Sequence, residues 1–96
     1  TNVAYNVACN PNVPREALTI LAERRNMAIL VAVVRNKNTP EEALAKLARN
    51  NNRNLRLLIA EHENTSRETL EFLLLKAVQE ADQKLAETVR LALAKQ

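Results

Sequence analysis

Glycine is absent from this 96-residue chain, and aromatic residues make up only 2% of it. Without glycine, the sequence excludes the Gly-rich phosphate loops and dinucleotide fingerprints of nucleotide-binding enzymes. With 47% apolar residues and almost no aromatics, the core must be built from leucine, isoleucine, valine and alanine. Twelve asparagines are present, and asparagine tolerates a left-handed backbone better than most residues. We therefore expect the asparagine clusters to form turns and helix ends.

Cysteine and long apolar runs are also scarce. Cys9 is the single cysteine, so it excludes an internal disulfide and a cysteine-based zinc site. A reducing, cytoplasmic location is expected for such a chain. The longest apolar run, residues 27–34, has eight residues, whereas a membrane span needs about twenty. The sequence thus predicts no membrane segment, and it indicates neither a metal nor a cofactor.

Charge is unevenly distributed along the chain, which has a net charge of +3. Residues 1–60 carry nine basic and four acidic side chains, a balance of +5, and residues 61–96 carry five and seven, a balance of −2. The first part could therefore attract an acidic partner. A mildly basic surface is also common in proteins that bind no anion.

A nine-residue motif recurs at a fixed interval. Residues 10–18, 36–44 and 62–70 share an asparagine at the third position, a glutamate at the seventh and a leucine at the ninth, and the offset is 26 residues both times. A fixed period in this range is typical of a solenoid, in which each unit stacks on its neighbours. The chain begins at Thr1, inside a repeat, so we expect it to be a fragment of a longer array.

Each motif predicts the start of a helix. Thr39 with Glu42 forms a capping box, and Pro40 suits the first helical position. Thr65 with Glu68 repeats the arrangement. The apolar face of each motif helix recurs at helical spacing. Its members are Ala17, Leu18, Leu21 and Ala22; Ala43, Leu44, Leu47 and Ala48; and Thr69, Leu70, Leu73 and Leu74.

A second, shorter helix is predicted before each motif. The middle copy, residues 27–34, is apolar all round, so it needs neighbours on every side. The period then lengthens to 34 residues, which predicts a long helix over 66–81 and a last helix over 83–95, together a capping pair. The matching apolar positions of the second helices are Val3, Val7 and Ala8; Ile29, Val33 and Val34; and Leu55, Ile59 and Ala60.

The motif and the segment after it resemble the leucine-rich repeat variant family, whose repeat runs Asn-Pro-x-Thr-Pro-x-x-x-Leu-x-x-Leu-Ala, an acidic turn, then Val-Arg-x-x-Val-Ala. Residues 10–14 and 18–22 match it, as do Thr39-Pro40 and residues 44–48, 55–60 and 89–94. The resemblance implies a right-handed superhelix related to HEAT and armadillo arrays. Two departures are a repeat about two residues longer and the replacement of the acidic turn by arginines and asparagines. The cysteine cluster of one family member has no counterpart here.

No constellation of catalytic residues is evident. His62 fills the slot of Asn10 and Asn36, which makes it a turn residue, and Ser66 fills the slot of two prolines at a helix start. A Ser-His-Asp triad would need Asp82 beside both. Cys9 has no adjacent histidine base and is interpreted as an inert, partly exposed thiol. We expect no enzymatic activity.

Asn12, Asn38 and Asn64 recur unchanged, and we expect their side chains to bond to the backbone of their own or the neighbouring turn. If the amides point into solvent, this idea fails.

A ridge of arginines is the candidate binding surface. These residues lie at or after the ends of the motif helices, where stacking would bring them to one edge: Arg24, Arg25, Arg49, Arg53 and Arg56. Positive charge there also complements the helix dipole, so the pattern alone does not require a ligand. Nucleic-acid binding would gain from aromatic stacking, for which only Tyr5 and Phe72 are present.

The sequence therefore predicts an all-α chain: a right-handed α-α superhelix of about three 26-residue repeats plus a C-terminal capping helix pair. We expect one α-solenoid domain over 1–96, with units of about 1–35, 36–61 and 62–96. The predicted function is a non-catalytic scaffold for a protein partner, and the alternative is weak electrostatic nucleic-acid binding by the basic edge. Partner specificity should reside in exposed positions that vary between units: Pro11, Lys37 and Glu63; and Arg15, Glu41 and Arg67.

Overall fold

The computed structural model describes residues 2–50 and 52–95. Within these residues the regular secondary structure is helical, and there is no strand. This all-α architecture confirms the predicted class. Helices formed by the short segments before the motifs alternate with helices that begin inside the motifs. In chain order they are α1 (Asn2–Cys9), α2 (Arg15–Leu21), α3 (Met27–Arg35), α4 (Glu41–Ala48), α5 (Arg53–Glu61), α6 (Arg67–Gln79) and α7 (Gln83–Ala94).

The helices pack in two adjoining rows. In one row α1 contacts α3, α3 contacts α5, and α5 contacts α7. In the other row α2 contacts α4, and α4 contacts α6. Each odd-numbered helix also touches at least one even-numbered neighbour, which closes the core between the rows. The molecule measures 37 × 24 × 16 Å.

The core lies between the rows and consists of aliphatic side chains at equivalent motif positions. Leu18, Leu44 and Leu70 are each at most 1% exposed. The predicted faces of α4 and of the middle helix α3 are buried, which confirms their helical periodicity. Val3 is the exception, because it is 75% exposed at the end of the row formed by the odd-numbered helices.

The predicted capping boxes are wrong. α4 and α6 begin one residue later than expected, after Pro40 and Ser66. Thr39 instead donates its hydroxyl hydrogen to the carbonyl of Val33, and Thr65 donates to that of Ile59 at 2.6 Å. Both acceptors lie in the last turn of the preceding helix, where carbonyls lack an intrahelical donor. The buried threonines therefore close the end of one helix rather than open the next.

The asparagines serve turns and helix starts, but not through a left-handed backbone. Asn26 and Asn52 cap α3 and α5 by accepting N–H groups of the first turn, for example Leu55 N at 3.1 Å. Among the described residues only Ala81 has a positive φ, of 55°. The side chains of these asparagines act through hydrogen bonds rather than through tolerance of a left-handed backbone. Asn51 lies outside the described residues.

The C-terminal pair of helices is confirmed as α6 and α7. α6 has 13 residues, compared with 7 in α2 and 8 in α4. It ends in a turn where the N–H of Asp82 donates to the carbonyl of Ala77 at 2.8 Å, a bond typical of a Schellman motif. Ala81 occupies the left-handed position that glycine usually fills, and Asp82 then caps α7.

Candidate functional site

Asparagine side chains connect the three turns that precede α2, α4 and α6. We call residues 10–14, 36–40 and 62–66 turns 1, 2 and 3. Asn38 of turn 2 donates its amide to the carbonyl of Pro11 in turn 1. Asn64 of turn 3 donates to the carbonyls of Lys37 at 3.0 Å and Thr39 at 3.1 Å. These bonds confirm the prediction for Asn38 and Asn64, which join adjacent turns.

Asn12 occupies the same motif position in turn 1. Within the described residues no turn precedes it, and its side chain makes no hydrogen bond there. The side chain of Asn12 is exposed, and the predicted bond to a turn is therefore wrong for this asparagine. The recurring asparagine therefore acts only where a preceding turn offers carbonyls.

The first position of each turn is also polar, and in turns 2 and 3 it joins the turn to the one before. Asn36 donates its amide to the carbonyls of Ala8 and Asn10, both at 2.9 Å. Its side-chain oxygen accepts the N–H of Asn38 at 2.9 Å, which shapes turn 2 itself. Asn36 is 7% exposed, so these bonds form largely away from water.

His62 performs both tasks of Asn36 in turn 3. Its Nε2 lies 2.9 Å from the carbonyl oxygen of Asn36, and its Nδ1 lies 3.0 Å from the N–H of Asn64. Because a carbonyl only accepts, Nε2 must carry the hydrogen, and Nδ1 is then free to accept. This geometry confirms that His62 is a turn residue that imitates asparagine.

The other residues of catalytic type are separated and engaged elsewhere. Ser66 donates to a carboxylate oxygen of Glu41 at 2.8 Å and accepts the N–H of Thr69 at 3.2 Å. Ser66 and Asp82 lie at opposite ends of the 13-residue helix α6, a distance of about 20 Å at 1.5 Å per residue. The side chains that a triad would need are therefore not brought together.

Cys9 is exposed beside Tyr5 at the far end of the molecule. A hydrogen bond and charge interaction with Cys9 raise the pKa of Tyr5 above its usual value, and burial adds to this shift. Arg35 acts in the opposite direction. This small group contains no histidine base for the thiol.

The predicted basic surface is only partly present as exposed charge. Arg24 and Arg25 are exposed in the turn after α2, and Arg49 is exposed at the end of α4. The guanidinium of Arg49 lies 5.6 Å from the centre of the Phe72 ring, in the range of a cation–π contact. No ion pair engages these three arginines within residues 2–50 and 52–95.

Arg56 does not belong to that surface. Its side chain is 2% exposed, donates to the carbonyl of Asn50 at 3.1 Å and pairs with Glu80 at 2.8 Å. The prediction for Arg56 is therefore corrected, because α5 turns this arginine inward against the end of α6. A buried cation needs a partner such as Glu80, so its role is structural.

Arg53 is exposed but neutralised. Its guanidinium binds both carboxylate oxygens of Asp82, at 2.6 and 3.2 Å. This hydrogen-bonded pair lowers the pKa of Asp82 and raises that of Arg53, and the Leu85 N–H further stabilises the Asp82 carboxylate. Sequence reasoning missed both acidic partners because Glu80 and Asp82 follow their arginines by 24 and 29 residues.

A groove crosses turns 1 and 2 on the side where the varying motif positions lie. It has a volume of about 680 Å³, and we call it the turn groove. The exposed cations Arg15 and Lys37 line it together with Glu16 and Glu41. The Glu41 carboxylate is already engaged by Ser66 and Thr69, so Arg15, Glu16 and Lys37 carry the accessible charge.

Within the described residues, no cluster of three or more His, Cys, Asp or Glu side chains could hold a metal ion. No described helix is both long and apolar enough to cross a membrane. Comparison with protein-family models, with curated proteins and with solved structures gave no match to this chain.

Proposed function

We propose that this chain is a single, non-catalytic α-solenoid domain that serves as a scaffold for a protein partner. In this proposal units of about 1–35, 36–61 and 62–96 form a right-handed superhelix like that of the leucine-rich repeat variant family. The observation that supports this proposal is that different positions of the motif have different roles. Asn36, Asn38, His62 and Asn64 make contacts between turns, whereas the positions that vary between units are exposed except at Glu41.

The turn groove is the proposed partner site. It combines a rigid floor, held by the amides of Asn38 and Asn64, with exposed charged side chains above it. Rigid, preorganised surfaces lose little entropy on binding. Arg15 and Lys37 favour a partner segment that presents acidic side chains to the groove.

A pair of charge-matched variants tests this site. Arg15→Glu with Lys37→Glu should abolish capture of a soluble protein partner, because it inverts the two exposed cations of the groove. Lys84→Glu with Arg90→Glu makes the same charge change at exposed positions of α7 and should leave capture intact. Equal capture by both variants, or equal loss in both, would contradict the proposed site.

Weak nucleic-acid binding is the second candidate, and it is supported by three exposed arginines of the predicted ridge that no ion pair engages within residues 2–50 and 52–95. Arg24, Arg25 and Arg49 could contact phosphates without reading bases. Affinity for DNA and RNA should then fall steeply between low and moderate salt, and Arg24→Ala with Arg25→Ala should reduce the salt slope by about two. Absence of binding at low salt rejects this candidate.

A further inference from the structure

A second groove lies at the end of the molecule formed by turn 3, α6 and α7. We call it the end groove; its volume is about 530 Å³. Ala60, His62 and Glu63 line one side, and Leu70 and Leu91 line the other. Turn 3 occupies the same motif positions as turns 1 and 2. The contacts made at turns 1 and 2 therefore indicate which chemical groups the end groove can bind.

Turns 1 and 2 each receive side-chain amide or imidazole N–H groups from the next turn. The carbonyls of Ala8, Asn10 and Pro11 accept from Asn36 and Asn38. The carbonyls of Asn36, Lys37 and Thr39 accept from His62 and Asn64. The two pairs of turns thus share carbonyl acceptors at the first and second motif positions, Asn10 and Pro11 in turn 1 and Asn36 and Lys37 in turn 2.

Turn 3 presents the equivalent carbonyls, and among the described residues no side chain donates to them. Ala60, His62 and Glu63 stand 52 residues after Ala8, Asn10 and Pro11, two repeat lengths later. In the part of the chain that the structure describes, no donor reaches the carbonyls of Ala60 and Glu63. The carbonyl of His62 accepts only the N–H of Thr65, inside its own turn at 3.3 Å. Peptide carbonyls in a groove favour a ligand that supplies N–H groups.

Exposed leucines on α6 and α7 would extend an interface made at the carbonyls of turn 3. On α4, Ala48 is 1% exposed because α6 covers it. Its counterpart Leu74 is only half-buried, and the adjacent Leu75 is 55% exposed. Leu91 on α7 is 62% exposed. The uncovered leucines would be buried by a helix stacked on α6 as α6 stacks on α4.

We propose that the end groove binds a polypeptide segment of another protein that carries an Asn-x-Asn turn followed by a short amphipathic helix. The turn asparagines would donate to the carbonyls of Ala60, His62 and Glu63, and the helix would cover Leu75. This inference rests on the proposed scaffold role but concerns a different surface from the turn groove.

A second copy of the chain does not fit this role. Its turn 1 carries the exposed asparagines Asn10 and Asn12, but α1 precedes that turn. Placed by the same repeat relation, α1 of the copy would occupy the position on α5 that α7 already holds. A segment supplied by another molecule must therefore have no helix before its turn.

A peptide spanning residues 36–48 is a suitable probe, since it contains turn 2 and α4 without the preceding helix. Titrated into the isotope-labelled full chain, it should shift the backbone amide signals of residues 60–65 and 88–95 in a saturable manner. The matched control peptide carries Asn36→Asp and Asn38→Asp. Aspartate keeps the oxygen that shapes the turn but lacks the N–H donors, so this peptide should bind at least about tenfold more weakly.

Two protein variants complete the test. Leu91→Glu alters an exposed side chain and should leave thermal unfolding unchanged while reducing peptide affinity about tenfold or more. Arg15→Glu with Lys37→Glu should not affect this binding, so failure here is distinguishable from failure of the turn groove. The proposal is overturned by absent saturation at millimolar peptide, by equal binding of both peptides, or by shifts confined to other surfaces. Concentration-dependent dimers in sedimentation, formed through this groove, would equally overturn it by making a second copy the occupant.

Discussion

Replacing Asn64 by alanine removes one of the side-chain connections between turns 2 and 3. The Asn64 amide donates to two carbonyls, at 3.0 Å to Lys37 and at 3.1 Å to Thr39. A net contribution of about 1 kcal/mol is usual for one such bond, and the bond to Lys37 lies at an exposed position where water can replace it. We therefore expect the free energy of unfolding to fall by about 1.5 kcal/mol in Asn64→Ala.

The chain contains its own control for this experiment. Asn12 has the same motif position, but within the described residues its side chain makes no hydrogen bond. Asn12→Ala should therefore change the free energy of unfolding by less than about 0.5 kcal/mol, as for an ordinary surface substitution.

Urea unfolding followed by far-ultraviolet circular dichroism measures both variants, with an unchanged m-value as the sign that the denatured state is unaffected. For a domain of this size the loss in Asn64→Ala corresponds to a fall in Tm of about 6–12 °C. Equal destabilisation by Asn12→Ala would refute the reasoning, because the asparagine would then act within its own turn and not between turns.

Four further substitutions at three positions test the local geometry. His62→Asn should keep stability within about 0.5 kcal/mol, since asparagine supplies the same donor and acceptor in turn 2, whereas His62→Ala should lose about 1–2 kcal/mol in urea unfolding. Ala81→Gly should raise the free energy of unfolding by about 0.5–1 kcal/mol, because glycine adopts the positive φ without steric cost; a fall in Tm would contradict this. For Asp82, whose folded pKa is lowered chiefly by Arg53, the ion pair stabilises the fold above a pH of about 4 and less as pH falls through the lowered pKa. The stability difference between the wild type and Asp82→Asn, which keeps the capping oxygen, should therefore disappear on acidification, and a constant difference down to pH 2 would contradict the assignment.

Helix content and the buried faces were predictable because they depend on local spacing. Leu44 and Leu47 lie on one face of any helix that contains them, and their burial follows from that face being the apolar one. The role of His62 was predictable for a related reason. Its alignment with Asn10 and Asn36 placed it in a turn, where its two ring nitrogens take over the tasks of an amide.

The candidate site was harder to predict because its charges are set by distant partners. Arg56 follows the ridge pattern as well as Arg24 does, yet it is buried against Glu80, 24 residues later. Arg53 is neutralised by Asp82, 29 residues later. The sequence showed a lengthened C-terminal helix but not that its end folds back on the start of α5. Two of the five arginines predicted to form the binding surface are therefore paired with acidic side chains and do not offer free charge to a ligand.

The sequence by itself determined the helical class, the aliphatic core and the equivalence of the three turns, because periodicity and composition act within a few residues. Only the tertiary structure decided which polar groups meet. Thr39 and Thr65 could cap the next helix or close the previous one, and the packing of each turn against the preceding helix selected the second. The packing of one turn on another likewise distinguished Asn64, which has carbonyls beneath it, from Asn12, which has none in the described chain. A hydrogen bond needs both partners in place, and partners 26 residues apart meet only when the whole stack has formed.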